Sequence, residues 1–396
     1  MNELAQKIKE LSQLYFEELV QIRHHIHSNP ELSFQEYNTA AFVEQKLKEF
    51  GIDGVHRIAE TGVTFCLEGR KKGKIIALRA DIDALPIQEA NEVSYKSKNN
   101  GAMHACGHDV HTASLLGAAK ILAQLKDHFD GTIKFIFQPG EEKSPGGASI
   151  LIKEGILANP EPQFILGQHV MPLITEGKVG FRKGKYMASA DEIYLTVKGK
   201  GGHAAMPENF VDPIAISSQI IVSLQQVVSR MANPKIPSVL SFGKIQGGNV
   251  NNVIPDEVKI DGTFRTFDED WRKLALQRVK DVAQSIASSM GGSCKVEVAP
   301  GYPYLVNDDE YTDRNIAAAK AYLGEENVEE LDLWMAAEDF AFYTHEVPGC
   351  FYRLGTRNEE KGITSGVHTP TFDIDENALK TGMGLLAYLA VSELQS

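Results

Sequence analysis

The sequence lacks the features that mark secreted and membrane-spanning proteins. It has four cysteines in 396 residues, and these lie far apart, unlike the closely spaced cysteines of a disulfide framework. It contains no apolar run long enough to span a bilayer. Its first residues are charged and helix-periodic, without the basic start, apolar core and small-residue cleavage site of a secretory signal. These absences predict a cytoplasmic protein with no membrane partner.

Basic residues are also outnumbered by acidic ones. The sequence has 40 basic and 53 acidic residues, which gives a formal net charge of −13. Because there is no basic surplus to neutralise phosphates, we expect no nucleic-acid partner. The rest of the composition, with 43% apolar and 23% charged residues, is typical of a globular protein. A chain of 396 residues is too long for one hydrophobic core and predicts two or three domains.

The first part of the chain alternates between helix-like and strand-like segments. Apolar residues recur at three- and four-residue spacing up to about Phe50, which predicts helices. Short apolar runs that end in turn residues follow, with a helix-like stretch over 111–129 between them. This alternation predicts an α/β domain with a largely parallel sheet flanked by helices, whose functional side chains collect beyond the carboxyl ends of the strands. The apolar runs are VTFCLEG (63–69), KIIALRADIDALP (74–86), TIKFIFQPGEE (132–142) and QFILGQHV (163–170).

From about Lys185 the pattern changes. A half-buried strand over 190–205 precedes a helix over 212–231, and two strands, a second helix and a last strand follow up to Leu305. The order β-α-β-β-α-β is that of a ferredoxin-like α+β unit. The sequence therefore predicts an inserted domain over 185–305, and a first domain made of residues 1–184 and 306–396.

Five short segments hold the residue types that bind metal ions. Cys106 and His108 place a thiolate and an imidazole two positions apart, and both suit zinc and its neighbours. Glu141 and Glu142 are adjacent acids at the end of an apolar strand, where they are costly unless something positive holds them. Each segment alone has an ordinary structural explanation, but their combination at successive strand ends favours a metal centre. The remaining segments contribute His169, His368, and the pair Asp81 and Asp83.

Eight ordered motifs resemble those of the N-acyl-amino-acid amidohydrolases. This group includes hippurate hydrolases and auxin-conjugate hydrolases, within the dinuclear metallopeptidase family of aminoacylase and carboxypeptidase G. The likeness runs from RHHIHSNPELSFQE (23–36) to the last motif and so covers almost the whole chain. The motifs are RADIDALP, MHACGHDVH, FQPGEE, GQHV, GGHAAMP, GGNVNNVIPDEV, AAEDFAFY and HTPTFDIDENAL.

The resemblance implies a metallopeptidase-type catalytic domain that hydrolyses the amide bond of N-acyl-L-amino acids or related small conjugates. It implies Glu141 as the general base, which takes a proton from a metal-activated water and delivers it to the leaving amine. Two divalent ions are expected per subunit, with zinc or manganese first and cobalt or nickel as alternatives. The ligands that the resemblance implies are Cys106, His108, Glu142, His169 and His368.

The sequence departs from the wider family at Asp81, where many relatives carry a histidine ligand. The Cys106/His108 pair is expected to compensate, as in the hippurate-hydrolase branch. Asp83 is expected to orient a ligand, whereas the role of Asp81 is left open. Gly140 stands where this branch often has alanine, a small change that alters none of these expectations.

Two neighbours of His108 remain open on spacing alone. His111 lies one helical turn further on and is a rival ligand, although the resemblance favours His108 and makes His111 a structural hydrogen-bonding residue. Asp109 is expected either to orient His108 as a carboxylate partner or to cap the helix that follows.

The inserted domain contributes three further residues by resemblance. His203 is expected to stabilise the oxyanion that develops during amide hydrolysis, within its own subunit or across a dimer. Asn252 and Arg265 are expected to bind the free carboxylate of the substrate, for which a guanidinium group is well suited. The resemblance also favours a lid or dimerisation role for this domain. If the domain dimerises, the protein is expected to form a homodimer through it.

Three other functions compete with N-acyl-amino-acid hydrolysis. A dipeptidase or exopeptidase would use the same site. An N-acetyl-diaminopimelate deacetylase would be a special case of N-acyl-amino-acid hydrolysis. A non-catalytic binding module would be expected to lack Glu141 or one of the ligands, and all of them are present.

Overall fold

The computed structural model describes residues 3–396, which form two compact units. The first unit contains residues up to Tyr186 together with 306–332 and 339–396. The second contains Met187–Leu305 and the short segment Leu333–Glu338, which falls within the predicted bounds of the first domain, 306–396. Within residues 3–396, none of the helices combines the length and apolar character needed to cross a membrane.

The first unit is built on an eight-stranded mixed sheet. Its strand order is β1-β2-β4-β3-β5-β16-β6-β15, and the four central strands β4, β3, β5 and β16 are mutually parallel. The predicted α/β class with a largely parallel sheet is therefore confirmed. The strands are β1 His56–Ile58, β2 Gly62–Glu68, β3 Ile75–Asp81, β4 Thr132–Gln138, β5 Phe164–Thr175, β6 Val179–Phe181, β15 Val328–Glu330 and β16 Gly349–Arg357.

Helices cover this sheet and bury its apolar residues. Nearly every residue of α3 is buried, because this helix packs against the sheet and against α1 and α9. The apolar runs of the sequence form the strands, since central parallel strands are buried on both faces. The helices of this unit are α1 Glu3–Ser28, α2 Tyr37–Glu49, α3 His108–Gln124, α4 Gly147–Lys153, α7 Asp309–Leu323, α8 Ala341–Thr344 and α9 Ala378–Gln395.

Polar residues gather at the carboxyl edge of the central strands. β3 ends at Asp81, and the chain leaves β4 at Gln138, three residues before Glu141. His169 lies within the longer strand β5, and α3 begins at His108. Functional side chains of parallel sheets collect at this edge, so the topology brings together segments that are far apart in the sequence.

The second unit has the predicted β-α-β-β-α-β order. Its four-stranded antiparallel sheet has the order β10-β12-β8-β13, and two helices pack on one face around a separate apolar core. Asp212 and Asp268 cap the two helices by accepting hydrogen bonds from backbone N–H groups in the first turn. The main elements are β8 Asp191–Lys198, α5 Pro213–Gln226, β10 Ser238–Gln246, β12 Glu257–Thr266, α6 Glu269–Ser289 and β13 Ser293–Pro300. The shorter strands of this unit are β9 Gly202–His203 and β11 Val253–Ile254. The strands β7 Gly184–Met187 and β14 Leu305–Asn307 pair with each other, and most of their residues belong to the first unit.

Candidate metal centre

Five side chains from four segments of the first unit bring their donor atoms together. The sulfur of Cys106 lies 3.4 Å from Nε2 of His169 and 3.3 Å from Nε2 of His368. Oε1 of Glu142 lies 3.3 Å from the same nitrogen of His368 and 3.9 Å from Nε2 of His108. Distances of this size between donor atoms leave room for bound cations among them.

The rings of His108 and His169 turn their Nε2 atoms toward this cluster. Nδ1 of His169 donates to the carbonyl of Val170 at 2.8 Å, and Nδ1 of His108 donates to the backbone and side-chain oxygens of Asp83 at 3.0 and 3.1 Å. These bonds orient each ring so that its Nε2 atom faces the cluster, where it can bind a cation once it is unprotonated. Within residues 3–396, Nε2 of His108 and Oε1 of Glu142 are buried without a hydrogen-bond partner. Buried polar atoms without partners are costly, and a cation would satisfy both.

The cluster carries an excess of negative charge. Burial, followed by the carboxylates of Glu142 and Glu141, raises the pKa of the Cys106 thiol well above its usual value. Burial opposes the charged form of His108, but Asp81 and Asp83 outweigh it and raise the pKa of that imidazole to about 10. Carboxylates that face this buried space contribute to both shifts, and a bound cation would offset their negative charge.

Asp83 supports two members of the cluster at once. Its Oδ1 accepts from Nδ1 of His108, while its Oδ2 accepts from the backbone N–H of Glu142 at 3.0 Å. The hydroxyl of Ser33 donates to the same Oδ2 at 2.6 Å. This buried carboxylate thus holds both the ring of His108 and the backbone at Glu142.

Asp81 and His111 are hydrogen-bonding partners. Oδ1 of Asp81 lies 2.5 Å from Nδ1 of His111, and its Oδ2 accepts from Arg79 at 2.7 Å. Nε2 of His111 accepts from the backbone N–H of Val170 at 2.9 Å. Although donor atoms of Asp81, His108 and His111 lie within 4.8 Å of one another, both nitrogens of His111 are occupied. His111 therefore acts as a hydrogen-bonding residue that holds the strand beside His169.

Asp109 neither orients the ring of His108 nor caps α3, the two roles expected from the sequence. Its carboxylate is buried and accepts from Nε of Arg23 and from Nδ1 of His27, each at 2.8 Å. Among the described residues, α3 begins without a side-chain cap, and Asp109 makes no hydrogen bond to the ring of His108. The physical reason is that α1 packs against α3 and brings a buried guanidinium to this carboxylate. Arg23 and His27 were missed because no local pattern links them to Asp109.

Glu141 is buried beside the cluster, with a carboxylate oxygen within 4.8 Å of donor atoms of His108 and Glu142. The turn before it depends on Gly140, whose φ of +63° lies in the left-handed region that favours glycine. A Cβ atom added there would also collide with the ring of Phe34. The glycine at position 140 thus has a structural cause in this chain.

The residues predicted in the inserted domain lie in the second unit. His203 and Asn252 are exposed and neighbour each other, because β9 pairs with β11 and the N–H of Ala204 donates to the carbonyl of Asn252. Arg265 lies on β12 and is half-buried, with its guanidinium donating to the hydroxyl of Thr263 and the carbonyl of Phe264. His203 in β9 and Asn252, which directly precedes β11, therefore lie side by side, whereas Arg265 lies on β12.

Known proteins resemble this chain over nearly its whole length. Thermostable carboxypeptidase 2 of Saccharolobus solfataricus is 38% identical over 392 residues, which are 98% of each chain. An N-acetyl-L-cysteine deacetylase of Bacillus subtilis is 43% identical over 363 residues, covering 91% of this chain and 85% of the relative. The crystal structure of a Bacillus subtilis protein, described as a dinuclear metal binding peptidase, matches with a TM-score of 0.82 and 36% identity, covering 97% of this chain and 99% of the other.

These likenesses agree with the family profile. The profile of Peptidase family M20/M25/M40 matches residues 77–392, which include all five clustered side chains. The resemblance drawn from the eight sequence motifs is thereby confirmed, and the chain belongs to peptidase family M20/M25/M40.

Proposed function

We propose that this protein is a metal-dependent amidohydrolase that cleaves the amide bond of N-acyl-L-amino acids or related small conjugates. The observation that carries the proposal is the convergence of five donor side chains beside the buried carboxylate of Glu141. The deacetylase relative supports an acylated amino acid as substrate.

The proposed ligands would hold two divalent metal ions. Their fit rests on the unpartnered Nε2 of His108 and Oε1 of Glu142, and on the burial and nearby carboxylates that raise the pKa of Cys106. When bound, such ions activate a water molecule and polarise the scissile carbonyl. A thiolate and three imidazoles favour zinc, with manganese, cobalt and nickel as alternatives. The proposed ligands are Cys106, His108, Glu142, His169 and His368.

Glu141 is the proposed general base. Glu142 is turned toward His368 and His108, whereas its neighbour Glu141 offers a second carboxylate at the edge of the same cluster. That carboxylate accepts the proton of the attacking water and returns it to the amine as the amide bond breaks.

Three residues of the second unit complete the proposal. His203 donates to the developing oxyanion, and Asn252 and Arg265 bind the substrate carboxylate. The exposure and proximity of His203 and Asn252 support a joint role toward the substrate. A lid or dimerisation role of this unit belongs to the same proposal.

A peptidase is the second candidate. It is favoured by the carboxypeptidase relative, which matches this chain from end to end at 38% identity. The same water, base and metals would cleave a peptide bond, so the two candidates differ in the acyl group that the site accepts.

The test measures amine release from N-acetyl, N-benzoyl and indole-acetyl L-amino acids and from dipeptides. The protein is used metal-stripped and after loading with zinc or manganese. We expect metal-dependent release from one or more acyl amino acids. Release from dipeptides alone would replace the amidohydrolase with the peptidase, and inactivity of fully loaded protein on the whole panel would overturn both.

Asp83 provides a test of the proposed ligands that does not require a substrate. Asp83→Ala removes the partners of the His108 ring and the Glu142 backbone, so metal affinity should fall by about 10- to 100-fold. Competition with a chromophoric chelator measures that affinity. Ser33→Ala is the matched control, because it removes one bond to Asp83 while leaving both of its contacts to the cluster. Unchanged affinity in Asp83→Ala would contradict the ligand assignment.

A further inference from the structure

Glu36 is a fully buried carboxylate beneath the loop that carries Glu141. Its Oε1 accepts from the backbone N–H of Gly140 at 2.8 Å and from that of Phe34 at 2.9 Å. Its Oε2 accepts from the hydroxyl of Thr61 at 2.8 Å. One side chain therefore ties together the segment before α2, the turn between β1 and β2, and the loop after β4.

Burying the carboxylate of Glu36 lowers the free energy of unfolding of the protein. Burial, with the nearby charge of Asp83, raises the pKa of Glu36 to about 7. An apolar residue at this position would avoid that cost, but it would leave two backbone N–H groups without an acceptor. A costly buried acceptor aimed at the residue before the proposed base points to a role in placing that base.

We propose that Glu36 is a positioning residue that fixes the orientation of Glu141 by holding the backbone N–H of Gly140. The inference rests on the proposed function, in which Glu141 is the general base. Gly140 has a positive φ and precedes Glu141 directly, so rotation of its peptide plane would swing the carboxylate of Glu141. The ring of Phe34, placed by the other bond to Oε1, fills the space beside the α-carbon of Gly140.

Two substitutions separate hydrogen bonding from charge and bulk. Glu36→Gln keeps an oxygen that can accept from Gly140 and Phe34, while its amide group can donate to the hydroxyl of Thr61. Because burial raises the pKa of Glu36, a neutral amide also suits a site that disfavours a charged side chain. Glu36→Asp keeps the carboxylate but shortens its reach by one methylene group. Glutamine should therefore preserve the placement of Glu141, and aspartate should not.

The experiment measures kcat, KM and bound metal for both variants. We expect kcat of Glu36→Asp to fall by about 10- to 100-fold, because a displacement near 1 Å can cost about 100-fold in rate. KM and bound metal should stay close to wild type, and Glu36→Gln should keep kcat within a few fold. Thr61→Val is the structural control, since it removes the bond to Oε2 and leaves both bonds to Oε1. It should lower Tm without lowering kcat.

Hydrogen exchange gives a second readout that does not need turnover. The peptide covering residues 138–143 should exchange faster in Glu36→Asp and at the wild-type rate in Glu36→Gln. Wild-type exchange and wild-type kcat in Glu36→Asp would overturn the inference. If Glu36→Asp exchanges faster but the metal-loaded wild type is inactive on the whole panel, Glu36 still anchors this loop, and the proposed reaction is rejected.

Discussion

Replacing Glu141 with glutamine is expected to reduce kcat by about 100- to 10,000-fold, the usual range for removal of a general base. Glutamine has nearly the same shape as glutamate, but its amide cannot accept the proton of the attacking water. Because Glu141 is not among the proposed ligands, the protein should bind its full complement of metal. Turnover of the best acyl amino acid and metal analysis of the same sample measure the two quantities.

The adjacent Glu142 provides the matched control. Its Oε1 lies 3.3 Å from Nε2 of His368 and has no hydrogen-bond partner within residues 3–396, so Glu142→Gln should lose metal and activity together. The two variants differ by one position in the chain and should differ in bound metal. Activity close to wild type in Glu141→Gln would reject Glu141 as the base, whatever the behaviour of Glu142→Gln.

The polar edge of the sheet could be predicted because its central strands β3 and β4 are rich in apolar residues and are followed by acidic ones. Such sequences arise when a parallel strand is buried on both faces. β3 therefore ends at Asp81, and Glu141 and Glu142 follow β4 after a short turn. The residue types at these ends, together with the ordered motifs, were enough to predict the family and the five clustered side chains.

Pairings between distant side chains could not be predicted in the same way. Asp109 lies 82 and 86 residues from His27 and Arg23, and neither residue type nor local spacing links them. Both expectations for Asp109 came from its neighbours in the chain, whereas the packing of α1 against α3 decides its partners. The segment 333–338 lies in the second unit for a comparable reason, since backbone hydrogen bonds join it to residues near Ala188.

Gly140 illustrates a third limit. A change between glycine and alanine looks small in a sequence because it adds one methyl group. Here the methyl group would meet the ring of Phe34, and the backbone at Gly140 adopts a positive φ. Neither the neighbouring ring nor the backbone angle has a signature in the residues FQPGEE. The weight of such a position becomes visible only when its three-dimensional neighbours are known.

Asp109→Ala is expected to destabilise the first unit by about 3–5 kcal/mol, the usual cost of removing one partner from a buried ion pair. Arg23 is fully buried, and its guanidinium is held by Asp109 and by Asp373. Burial opposes the charge of His27 as well, but its hydrogen bond to Asp109 raises the pKa of the imidazole. Without Asp109, Arg23 keeps Asp373 and His27 keeps Glu89, so each buried group loses one of two carboxylate partners. Chemical denaturation, followed by a probe in the first unit, measures the change in free energy of unfolding.

Asp373→Ala is the matched control for this effect. Asp373 binds the same guanidinium at the same distance of 2.8 Å, but its side chain is 18% exposed, whereas that of Asp109 is fully buried. Water can therefore replace Asp373 more readily, and its removal should cost markedly less than that of Asp109. A double substitution, Arg23→Leu with Asp109→Leu, removes both charges and should recover part of the lost stability. Equal losses in the two single alanine variants would mean that burial of the Arg23–Asp109 pair does not govern its contribution, and that solvent reaches the pair in solution.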